Sequence, residues 1–330
     1  MKKLILAVPP IIIISITAAL VMLLLKFWVT GIFVLVLSII VNWWSETFAL
    51  HPSSKSNVKY DFRVLTFNIN RAHDISINKG TTEELIDFVI QQNADLVLLQ
   101  EYNAELYPEI QEELTKGYPY SSGIESNSRF KSIFSRYPIE AIEQLMIDIN
   151  NNHYELFQNA FYNKKRFEGM EVLPICKMII NVQGKSLQVF NCHLMSNNYS
   201  VVIRNLKKKG KNLLYGILPI IHRMDFGYNA RILQVKEIEK HIEPSMPTLI
   251  CGDFNDIGGS ASLRLLKRHD LTDAWWKKGF GFGFTFHGMG LRFRLDHVLF
   301  SNKTMMPVKS EVIKTELSDH YPLICTFKFV

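Results

Sequence analysis

Apolar residues form one long run at the start of the chain, and short runs separated by polar clusters in the rest of it. Residues 4–25 are almost unbroken Leu, Ile, Val and Ala, Lys26 interrupts the run, and residues 27–44 resume it. The run is about 40 residues long, roughly twice what one helix needs to cross a bilayer. The pattern therefore predicts a hairpin of two transmembrane helices at about these two ranges, within residues 1–50.

A cleaved signal peptide is the competing interpretation, because Lys2 and Lys3 precede the apolar run. We favour the hairpin, since no small-x-small cleavage site follows and a second apolar segment does. Trp43 and Trp44 lie where an aromatic belt is expected at a membrane surface. Positive charges flank the hairpin on both sides, and only Lys26 lies between the helices, so the positive-inside rule favours a cytoplasmic location for the rest of the chain.

Residues 51–59 are a short polar linker, and residues 60–330 are long enough for one large domain. "FRVLTFNIN" and "ADLVLLQE" predict strands, and "TTEELIDFVIQQN" between them predicts a helix that Thr81 or Thr82 caps. "MIINVQGKSLQVFNCHL" predicts a β-hairpin with a Gln-Gly turn, and a later helix is expected at about residues 229–243. This mixed order with many strands predicts an α/β fold of two packed sheets flanked by helices.

Composition adds two constraints to this picture. The net charge of +6 favours affinity for a polyanion or an anionic membrane surface, without choosing between them. The cysteines lie in apolar, strand-like contexts and form no Cys-x-x-Cys pair, so they are expected to be buried free thiols, as in a reducing compartment. They are Cys176, Cys192, Cys251 and Cys325.

Polar side chains end many of the predicted strands. "TLICGDFND", residues 248–256, runs apolar, stops at Gly252 and turns acidic and amide-rich. Turn chemistry explains one such end, but six occur, all drawn from Asn, Glu, His and Asp. If the strands are aligned, these groups converge on one rim, where oxygen ligands suit a hard divalent cation and imidazoles suit protons and phosphate. The six ends carry Asn68, Glu101, His193, Asp253 with Asn255, Asp296 with His297, and Asp319 with His320.

These segments resemble the motifs of the endonuclease/exonuclease/phosphatase superfamily, which includes DNase I-like nucleases, abasic-site endonucleases, neutral sphingomyelinases and inositol-polyphosphate phosphatases. "TFNIN", "LLQE", "FSRYPI", "NCHL", "GDFND", "RLDHVL" and "SDHYPL" occur in the family's order across residues 64–323. "GDFND" followed by "LDHV" and "SDHYPL" is the specific part of the match. The resemblance implies a four-layer α/β/β/α sandwich, DNase I-like, that cleaves phosphoester bonds with Mg²⁺ or Mn²⁺.

The resemblance also implies how the metal and the attacking water are held. Glu101 would be the main metal ligand, helped by Asn68 and Asp319. Asp253 would polarise or deprotonate the attacking water, and Asn255 would orient that water and hold a phosphate oxygen. Asp253 and Asn255 are two positions apart, so we expect both side chains to face the same way.

The implied phosphate contacts come from two histidines. His320 would contact the phosphate, and Asp296 would pair with His320 to fix its tautomer and favour its charged form. His193 would be a second phosphate-binding imidazole. In-line attack on phosphorus independently requires an activated water, a Lewis acid and cations around the phosphate oxygens, which these residue types can supply.

Other polar residues near these motifs are expected to be structural. His297 follows Asp296 within a strand and should face away from it. Asp256 is interpreted as a turn or cap residue, and Arg231 as a packing or surface residue. Asn70 departs from the family pattern, because some nucleases of the family have an Asp there near the metal, so a second metal is not expected.

Residues 196–228 form an insertion with a basic cluster beside an apolar stretch at residues 213–221. The insertion is either a helical hairpin over the sandwich with solvated charges, or an element that faces the membrane or the substrate. The basic cluster comprises Arg204, Lys207, Lys208, Lys209 and Lys211.

Three functions remain open on this basis. The first is a membrane-anchored, metal-dependent phosphodiesterase or phosphatase, with a lipid headgroup as one candidate substrate and the bilayer as its partner through the N-terminal helices. The second is a membrane-attached endonuclease or exonuclease, although no insertion is clearly suited to gripping duplex DNA. The third, a non-catalytic scaffold, is disfavoured because every position expected to carry chemistry holds a competent residue.

Overall fold

Two six-stranded β-sheets pack face to face, and helices cover their outer faces. The computed structural model describes residues 8–25, 28–51, 58–70, 81–104, 107–122, 131–145, 175–197, 217–288 and 292–330. The helices are α1 (Val8–Leu24), α2 (Trp28–Ser45), α3 (Thr82–Gln91), α4 (Pro108–Gly117), α5 (Ile217–Lys240), α6 (Ala261–Leu266) and α7 (Ala274–Lys278), with a 3-10 turn at Lys267–His269. The strands are β1 (Ala49–Leu50), β2 (Phe62–Asn68), β3 (Leu96–Gln100), β4 (Tyr120–Ser121), β5 (Lys131–Ser135), β6 (Ile139–Leu145), β7 (Ile175–Val182), β8 (Lys185–His193), β9 (Thr248–Asp253), β10 (Leu271–Asp273), β11 (Phe280–Gly281), β12 (Asp296–Ser301), β13 (Met305–Val312) and β14 (Leu323–Phe329).

The strand order brings particular strand ends together. The first sheet has the order β13-β14-β2-β3-β5-β4 and the second has the order β10-β12-β9-β8-β7-β6. The pairs β2–β3 and β8–β9 are parallel, whereas the other strand pairs of these sheets are antiparallel in the part of the chain that the structure describes. The carboxyl ends of each parallel pair therefore lie at the same edge of their sheet.

Apolar side chains on both faces of the central strands account for the layers. In β2, Phe62 and Val64 lie in the cluster between the sheets, whereas Leu65 and Phe67 pack under α3 and α4. In β9, Leu249 faces the other sheet, and the side chains on the opposite face pack against α5 and α6. Because strand side chains alternate between faces, strands buried on both sides are apolar along their whole length. The predicted packing of two sheets between helices is confirmed.

A buried polar contact joins the two sheets just beneath one rim. Gln100 Nε2 donates hydrogen bonds to Asn191 Oδ1 at 2.7 Å and to Thr66 Oγ1 at 3.0 Å. Asn191 Nδ2 in turn donates to the carbonyl of Leu99 at 3.0 Å. Gln100 ends β3 and Asn191 lies near the end of β8. This contact fixes the position of one sheet relative to the other at the rim.

The N-terminal helices pack against each other, with their outer side chains exposed. Ser38 Oγ donates a hydrogen bond to Ser15 Oγ across the pair at 2.8 Å. Among the described helices, α2 alone is long and apolar enough to cross a membrane, and the apolar part of α1, Ile12–Leu24, is shorter. Two transmembrane spans therefore stay a prediction.

The end of α2 is attached to the second sheet and its helices. The carboxylate of Glu46 pairs with Lys267, and the carbonyl of Glu46 accepts a hydrogen bond from Arg294 Nη2 at 2.8 Å. The guanidinium of Arg264 lies over the ring of Trp44, 4.4 Å from its centroid. These contacts fix the orientation of the hairpin relative to the sandwich.

Two glycines allow this close approach. A Cβ at Gly259, where φ is 73°, would lie 2.6 Å from the Cα of Ser45, and a Cβ at Gly258 would lie 2.8 Å from the Ser45 carbonyl oxygen. At Gly259 only glycine accepts both the contact and the left-handed backbone, and at Gly258 the contact alone leaves no room for a side chain. Gly258 and Gly259 follow Asp256 closely, so the end of the hairpin lies directly against the turn that continues from "GDFND".

Arg294 also belongs to a buried ion pair. Its Nη1 lies 2.5 Å from Asp273 Oδ2, which His297 Nδ1 also contacts at 2.7 Å. Burial raises the pKa of Asp273, but the charge of Arg294 and the hydrogen bond from His297 outweigh burial, so the pKa falls well below its usual range. His297 Nε2 contacts the carbonyl of Asp256 at 3.0 Å, so both ring nitrogens of His297 make buried structural contacts, in line with the structural role expected for it.

One boundary differs from the sequence-based expectation. The helix expected at about residues 229–243 begins at Ile217, inside the range assigned to the insertion. Pro219 is tolerated in a first helical turn. Gly227, which lowers helix propensity, lies where a Cβ would be 2.2 Å from Asn197 Oδ1. Packing therefore extends the helix through a weak sequence. Residues 198–216, including the basic cluster, lie outside the described residues.

We predict that Asp273→Asn destabilises the fold by about 3–5 kcal/mol at neutral pH, because the variant leaves the Arg294 charge buried without a counter-charge. The lowered pKa means that the carboxylate contributes its stability fully above the unfolded pKa of about 4 and loses it as the pH falls further. Chemical denaturation of the full chain in detergent between neutral pH and about pH 3 measures both effects.

Asp270→Asn is the matched control, because Asp270 pairs with Lys303 at 2.6 Å on the exposed surface. Its loss should cost less than about 1 kcal/mol. Equal losses in the two variants, or an unchanged slope of stability with pH in Asp273→Asn, would contradict the assigned role.

We also predict that Gln100→Leu lowers the free energy of unfolding by about 1–3 kcal/mol, since it removes a buried donor from Asn191. The double variant Gln100→Leu/Asn191→Leu should lose less than the sum of the two single losses, because it removes both partners together. Denaturation of the four proteins measures this coupling. Strictly additive losses would show that the contact does not join the sheets energetically.

Candidate active site

The register of the strands brings the predicted site residues to one rim of the sandwich. His193 is the register partner of Asp253 in the parallel pair β8–β9, and Asp296 is the partner of Asp253 in β9–β12. From the first sheet, Asn68 ends β2 and Glu101 follows β3. Asp319 and His320 lie a few residues before β14, which pairs with β2. Each sheet therefore supplies part of the site.

Asp253 lies at the centre of the rim and is buried. Asn68 Nδ2 donates to Asp253 Oδ2 at 3.0 Å, across the gap between the sheets. The backbone N–H of Asn255 donates to Asp253 Oδ1 at 2.8 Å. His193 Nε2 and His320 Nε2 lie 3.6 and 3.8 Å from Asp253 Oδ2. One carboxylate thus faces two imidazoles and two amides.

Asn255 reaches Asp253 through a turn. Its φ is 48°, in the left-handed region, and its Nδ2 donates to Asp253 Oδ2 at 3.2 Å and to the Leu194 carbonyl at 2.9 Å. The two side chains lie together, as expected, but the strand alternation that motivated the expectation ends at Asp253. Gly252 lies within β9 and not in the turn. The position requires glycine, because a Cβ there would be 1.9 Å from the Cys192 carbonyl oxygen of the neighbouring strand.

Burial raises the pKa of the Asp253 carboxyl to about 7, which the charge of His320 partly opposes and the charge of Asp296 reinforces. A carboxyl group with a pKa near neutrality can accept a proton from water and release it again at physiological pH.

His320 is held by Asp296. Its Nδ1 lies 2.8 Å from Asp296 Oδ2, which directs Nε2 toward Asp253. Burial lowers the pKa of His320, but the carboxylates of Asp296 and Asp253 outweigh burial and raise the pKa to about 10. The imidazole is therefore charged at neutral pH, with one N–H committed to Asp296 and the other facing the centre of the site.

Glu101 and Asp319 are the carboxylates on the first-sheet side. Glu101, with a φ of 56°, places Oε1 3.6 Å from His193 Nε2. Burial raises the pKa of Asp319, His320 opposes this, and the nearby charge of Glu101 raises it further. Two carboxylates that repel each other in a partly buried setting are a donor set that fits a hard divalent cation.

Asn68 bridges these groups as a donor. Its Nδ2 lies 3.4 Å from Glu101 Oε1 as well as 3.0 Å from Asp253 Oδ2. Its Oδ1 accepts a hydrogen bond from the backbone N–H of Asn70 at 2.9 Å. In this arrangement Asn68 holds the two carboxylates in place, and its role as a metal ligand stays a prediction.

A second group of potential ligand atoms lies deeper in the site. One atom each from Asp253, Asp296 and His320 lies within 4.8 Å of the others. The His320–Asp296 hydrogen bond already uses two of these groups. Asp296 Oδ1 is buried and has no hydrogen-bond partner among the described residues. The His320–Asp296 hydrogen bond suits this group to proton handling, and the cation site at Glu101 and Asp319 stays a prediction.

Three residues that the sequence pattern did not single out position the site. Ser318 Oγ donates to the Asn68 carbonyl at 2.7 Å and accepts from the His320 N–H at 3.1 Å. Thr285 Oγ1 accepts from the backbone N–H of Asp296 at 3.0 Å. His287 Nε2 contacts the Ser318 carbonyl at 3.0 Å. Ser318 lies within the quoted motif "SDHYPL", whereas Thr285 and His287 lie in a loop outside the quoted motifs.

The remaining candidates lie beside the site. Asp256 is buried, and its Oδ2 lies 3.2 Å from Arg231 Nε and 2.8 Å from Ser262 Oγ. Arg231 is therefore a buried packing residue that also donates to the Met195 carbonyl at 2.8 Å. The four cysteines are buried and free of disulfides.

Comparison with known proteins agrees with this fold. A family model described as "Endonuclease/Exonuclease/phosphatase family" matches residues 65–320. The fold is similar to an endonuclease/exonuclease/phosphatase from Beutenbergia cavernae (TM-score 0.58, 15% identity, 82% of this chain and 72% of that one). It is also similar to one from Bacteroides vulgatus (TM-score 0.56, 15% identity, 82% and 99%), and to a humanized D. rerio TDP2 (TM-score 0.52, 14% identity, 81% and 98%). No curated protein sequence matches the chain.

Metal-binding measurements can show which of the two groups of potential ligands holds the cation. We predict that Glu101→Gln weakens Mn²⁺ binding by at least about tenfold, because it removes an anionic oxygen ligand, whereas Asp296→Asn weakens binding much less. Titration of the full chain in detergent, followed by the Mn²⁺ electron paramagnetic resonance signal, measures both. The reverse order would place the cation among Asp253, Asp296 and His320.

Proposed function

This chain belongs to the endonuclease/exonuclease/phosphatase family, and from that premise we propose that it is a membrane-anchored, metal-dependent phosphoester hydrolase in which Asp253 activates water. The family is a class of hydrolases that act on phosphoesters. The observation that carries the proposal is the buried arrangement of Asp253, His320 and Asp296. His320 Nε2 lies 3.8 Å from Asp253 Oδ2, and His320 Nδ1 lies 2.8 Å from Asp296 Oδ2.

Asp253 is the proposed base. Its raised pKa, about 7, suits a carboxylate that takes a proton from water while the water oxygen bonds to phosphorus and the bond from phosphorus to the leaving oxygen breaks. Asn255 holds both oxygens of Asp253, so the carboxylate keeps one orientation. An oriented base lowers the entropic cost of placing the water in line with the leaving group.

His320 is the proposed contact to the phosphate. Its Nδ1–H is bound by Asp296, so its Nε2–H is available to a phosphate oxygen. Its raised pKa, about 10, keeps the ring charged while negative charge develops on that oxygen. His193, whose Nε2 lies 3.6 Å from both Glu101 Oε1 and Asp253 Oδ2, stands on the opposite side of Asp253 as the second proposed imidazole.

Glu101 and Asp319, with Asn68 beside them, would hold Mg²⁺ or Mn²⁺, which supplies Lewis-acid neutralisation of the phosphate charge when bound. The neighbouring carboxylates of Glu101 and Asp319 are the protein groups on which this proposed site depends.

Membrane attachment is proposed from the apolar N-terminal run and from α2, which is long and apolar enough to span. The charge distribution around the helices supports a cytoplasmic catalytic domain. A membrane-attached nuclease is the second candidate, because the net charge of +6 suits a nucleic acid backbone as well as an anionic membrane surface.

We predict Mg²⁺-dependent hydrolysis of bis-p-nitrophenyl phosphate by the full chain in detergent, abolished by EDTA. Asp253→Asn and His320→Gln should each lower turnover by about 10²–10⁴-fold, because each removes a proton-transfer or charge-stabilising group. The same proteins are also assayed with plasmid DNA, an abasic oligonucleotide, sphingomyelin and phosphoinositides.

The matched controls are Asp270→Asn and His269→Ala, which alter exposed ion pairs with Lys303 and Glu239 and should leave turnover unchanged. Full activity in both Asp253→Asn and His320→Gln would contradict the mechanism. A wild-type chain that hydrolyses none of the substrates would favour the scaffold, and cleavage of plasmid alone would favour the nuclease.

A further inference from the structure

A run of phenylalanines lies between the N-terminal hairpin and the active site. Phenylalanine occupies every second position from 280 to 286, separated by Gly281, Gly283 and Thr285. We call this set the aromatic ridge; it comprises Phe280, Phe282, Phe284 and Phe286.

One end of the ridge contacts the base of the hairpin. Phe48, three residues after α2, makes edge-on ring contacts with Phe280 at 6.3 Å and with Phe282 at 4.8 Å. Strand β1 pairs with β11, so that Leu50 lies opposite Phe280. The ridge therefore begins where the apolar helices end.

The middle of the ridge is held against Trp275. Phe282 stacks on Phe284, with ring centroids 5.1 Å apart and planes 2° apart. Trp275 Nε1 donates to the Gly281 carbonyl at 3.2 Å, and a Cβ at Gly283 would lie 2.3 Å from Trp275 Cε2. The glycines let the backbone lie directly on the indole, which fixes the loop although it contains little regular structure.

The other end of the ridge contacts the catalytic histidine. The ring of Phe286 lies 5.1 Å from that of His320 in an edge-on arrangement. Backbone hydrogen bonds join the two segments, from Tyr321 N–H to the Thr285 carbonyl at 2.5 Å and from His287 N–H to the Asp319 carbonyl at 3.0 Å. The ridge and the phosphate-contacting residue therefore keep a fixed relative position.

Large apolar side chains remain exposed where the ridge meets the hairpin. Trp43 is 71% exposed, Leu50 is 70% exposed and Phe280 is 61% exposed. Aromatic residues at the end of a membrane helix are typical of the lipid–water interface, and an aliphatic side chain such as Leu50 offers no face for stacking a nucleotide base. Leu50 and Phe280 are register partners, and Phe280 contacts Phe48 at the base of the hairpin, so a bilayer is the occupant that the chemistry of these side chains fits.

The contacts at the end of α2 also favour a fixed position of the site relative to the bilayer. Glu46 is bound by both Lys267 and Arg294, and Arg294 lies two residues before Asp296. A flexible tether would suffice to keep an enzyme near a membrane. Partly buried charged contacts between the end of the hairpin and the segment just before β12 instead hold the site at a fixed height above the lipid surface.

We propose that the aromatic ridge binds the apolar part of a membrane phospholipid and presents its phosphoester to His320, so that the substrate is a lipid still seated in the bilayer. This inference rests on the proposed hydrolase function. The acyl and backbone portion would lie along Phe282 and Phe284, and the phosphate would reach the site beyond Phe286.

The test compares two substrates of the same enzyme. The full chain is reconstituted in vesicles that contain phosphatidylcholine, phosphatidylglycerol, phosphatidic acid and sphingomyelin in equal parts. Lipid consumption is followed by mass spectrometry, and turnover of bis-p-nitrophenyl phosphate and of plasmid DNA is measured on the same preparation. The variant is Phe282→Ser/Phe284→Ser, and the control is Ile142→Ser, an exposed apolar residue on β6 at the far edge of the second sheet.

The wild-type chain should consume at least one lipid. The ridge variant should lower the ratio of lipid turnover to soluble-diester turnover by at least about tenfold, as expected from the loss of apolar burial of one or two phenyl rings. Ile142→Ser should leave that ratio unchanged.

An unchanged ratio in the ridge variant would overturn the inference, as would a selective loss of plasmid cleavage, which would make the ridge a base-stacking surface. A wild-type chain that hydrolyses the soluble diester but no lipid would overturn the inference and leave the proposed function standing. A chain that hydrolyses nothing would overturn both.

A second measurement does not depend on turnover. Phe280→Cys and Ile142→Cys are labelled with an environment-sensitive fluorophore, which is feasible because the native cysteines are buried. Lipids that carry a spin label near the headgroup should quench the dye at 280 strongly and the dye at 142 weakly. Equal quenching at the two positions would contradict the placement of the ridge at the bilayer.

Discussion

The hydrogen bonds that cross between the two sheets at their rim are the constraint on which the site depends. Neither sheet holds a complete set of groups, because the first supplies Glu101 and His320 and the second supplies Asp253. Asn68 joins the halves through its contact with Asp253 at 3.0 Å, and Gln100 joins them one layer deeper through Asn191 at 2.7 Å. A shift of about 1 Å between the sheets would separate Asp253, the proposed base, from His320, the proposed phosphate contact. The proposed catalysis therefore depends on the packing of the sandwich.

Burial and charge act in opposite directions on the two central groups. Desolvation dominates at Asp253 and raises its pKa to about 7, whereas two neighbouring carboxylates dominate at His320 and raise its pKa to about 10. Asp296 raises both pKa values, because its negative charge favours the charged form of His320 and disfavours the charged form of Asp253. A proton acceptor and a fixed cation thus stand within 4 Å of each other at neutral pH, an arrangement that suits attack of water on an anionic phosphoester.

The N-terminal hairpin is built into the domain that carries the site. Arg294 holds Asp273 on one side and the Glu46 carbonyl at the end of α2 on the other, and lies two residues before Asp296. Gly258 and Gly259, just after Asp256, let the hairpin pack against the loop that follows the catalytic strand. The same residues that stabilise the second sheet therefore set the position of the site relative to the apolar helices, which is why the aromatic ridge can connect the two.

The sequence determined the elements and most of the site residues, because those signals are local. Strand alternation, the Gln-Gly turn and the cap of α3, where Thr81 and Glu84 form reciprocal hydrogen bonds, depend on neighbours a few positions away. The tertiary structure alone decided the start of α5 at Ile217, the place of Gly252 within a strand, and the direction of the Asn68 amide. It also decided the contacts of Ser318 and Thr285 and the course of the aromatic ridge. Each of these depends on groups brought together from distant parts of the chain, as when Ser318 reaches Asn68 across 250 positions, and no periodicity along the sequence records such a contact.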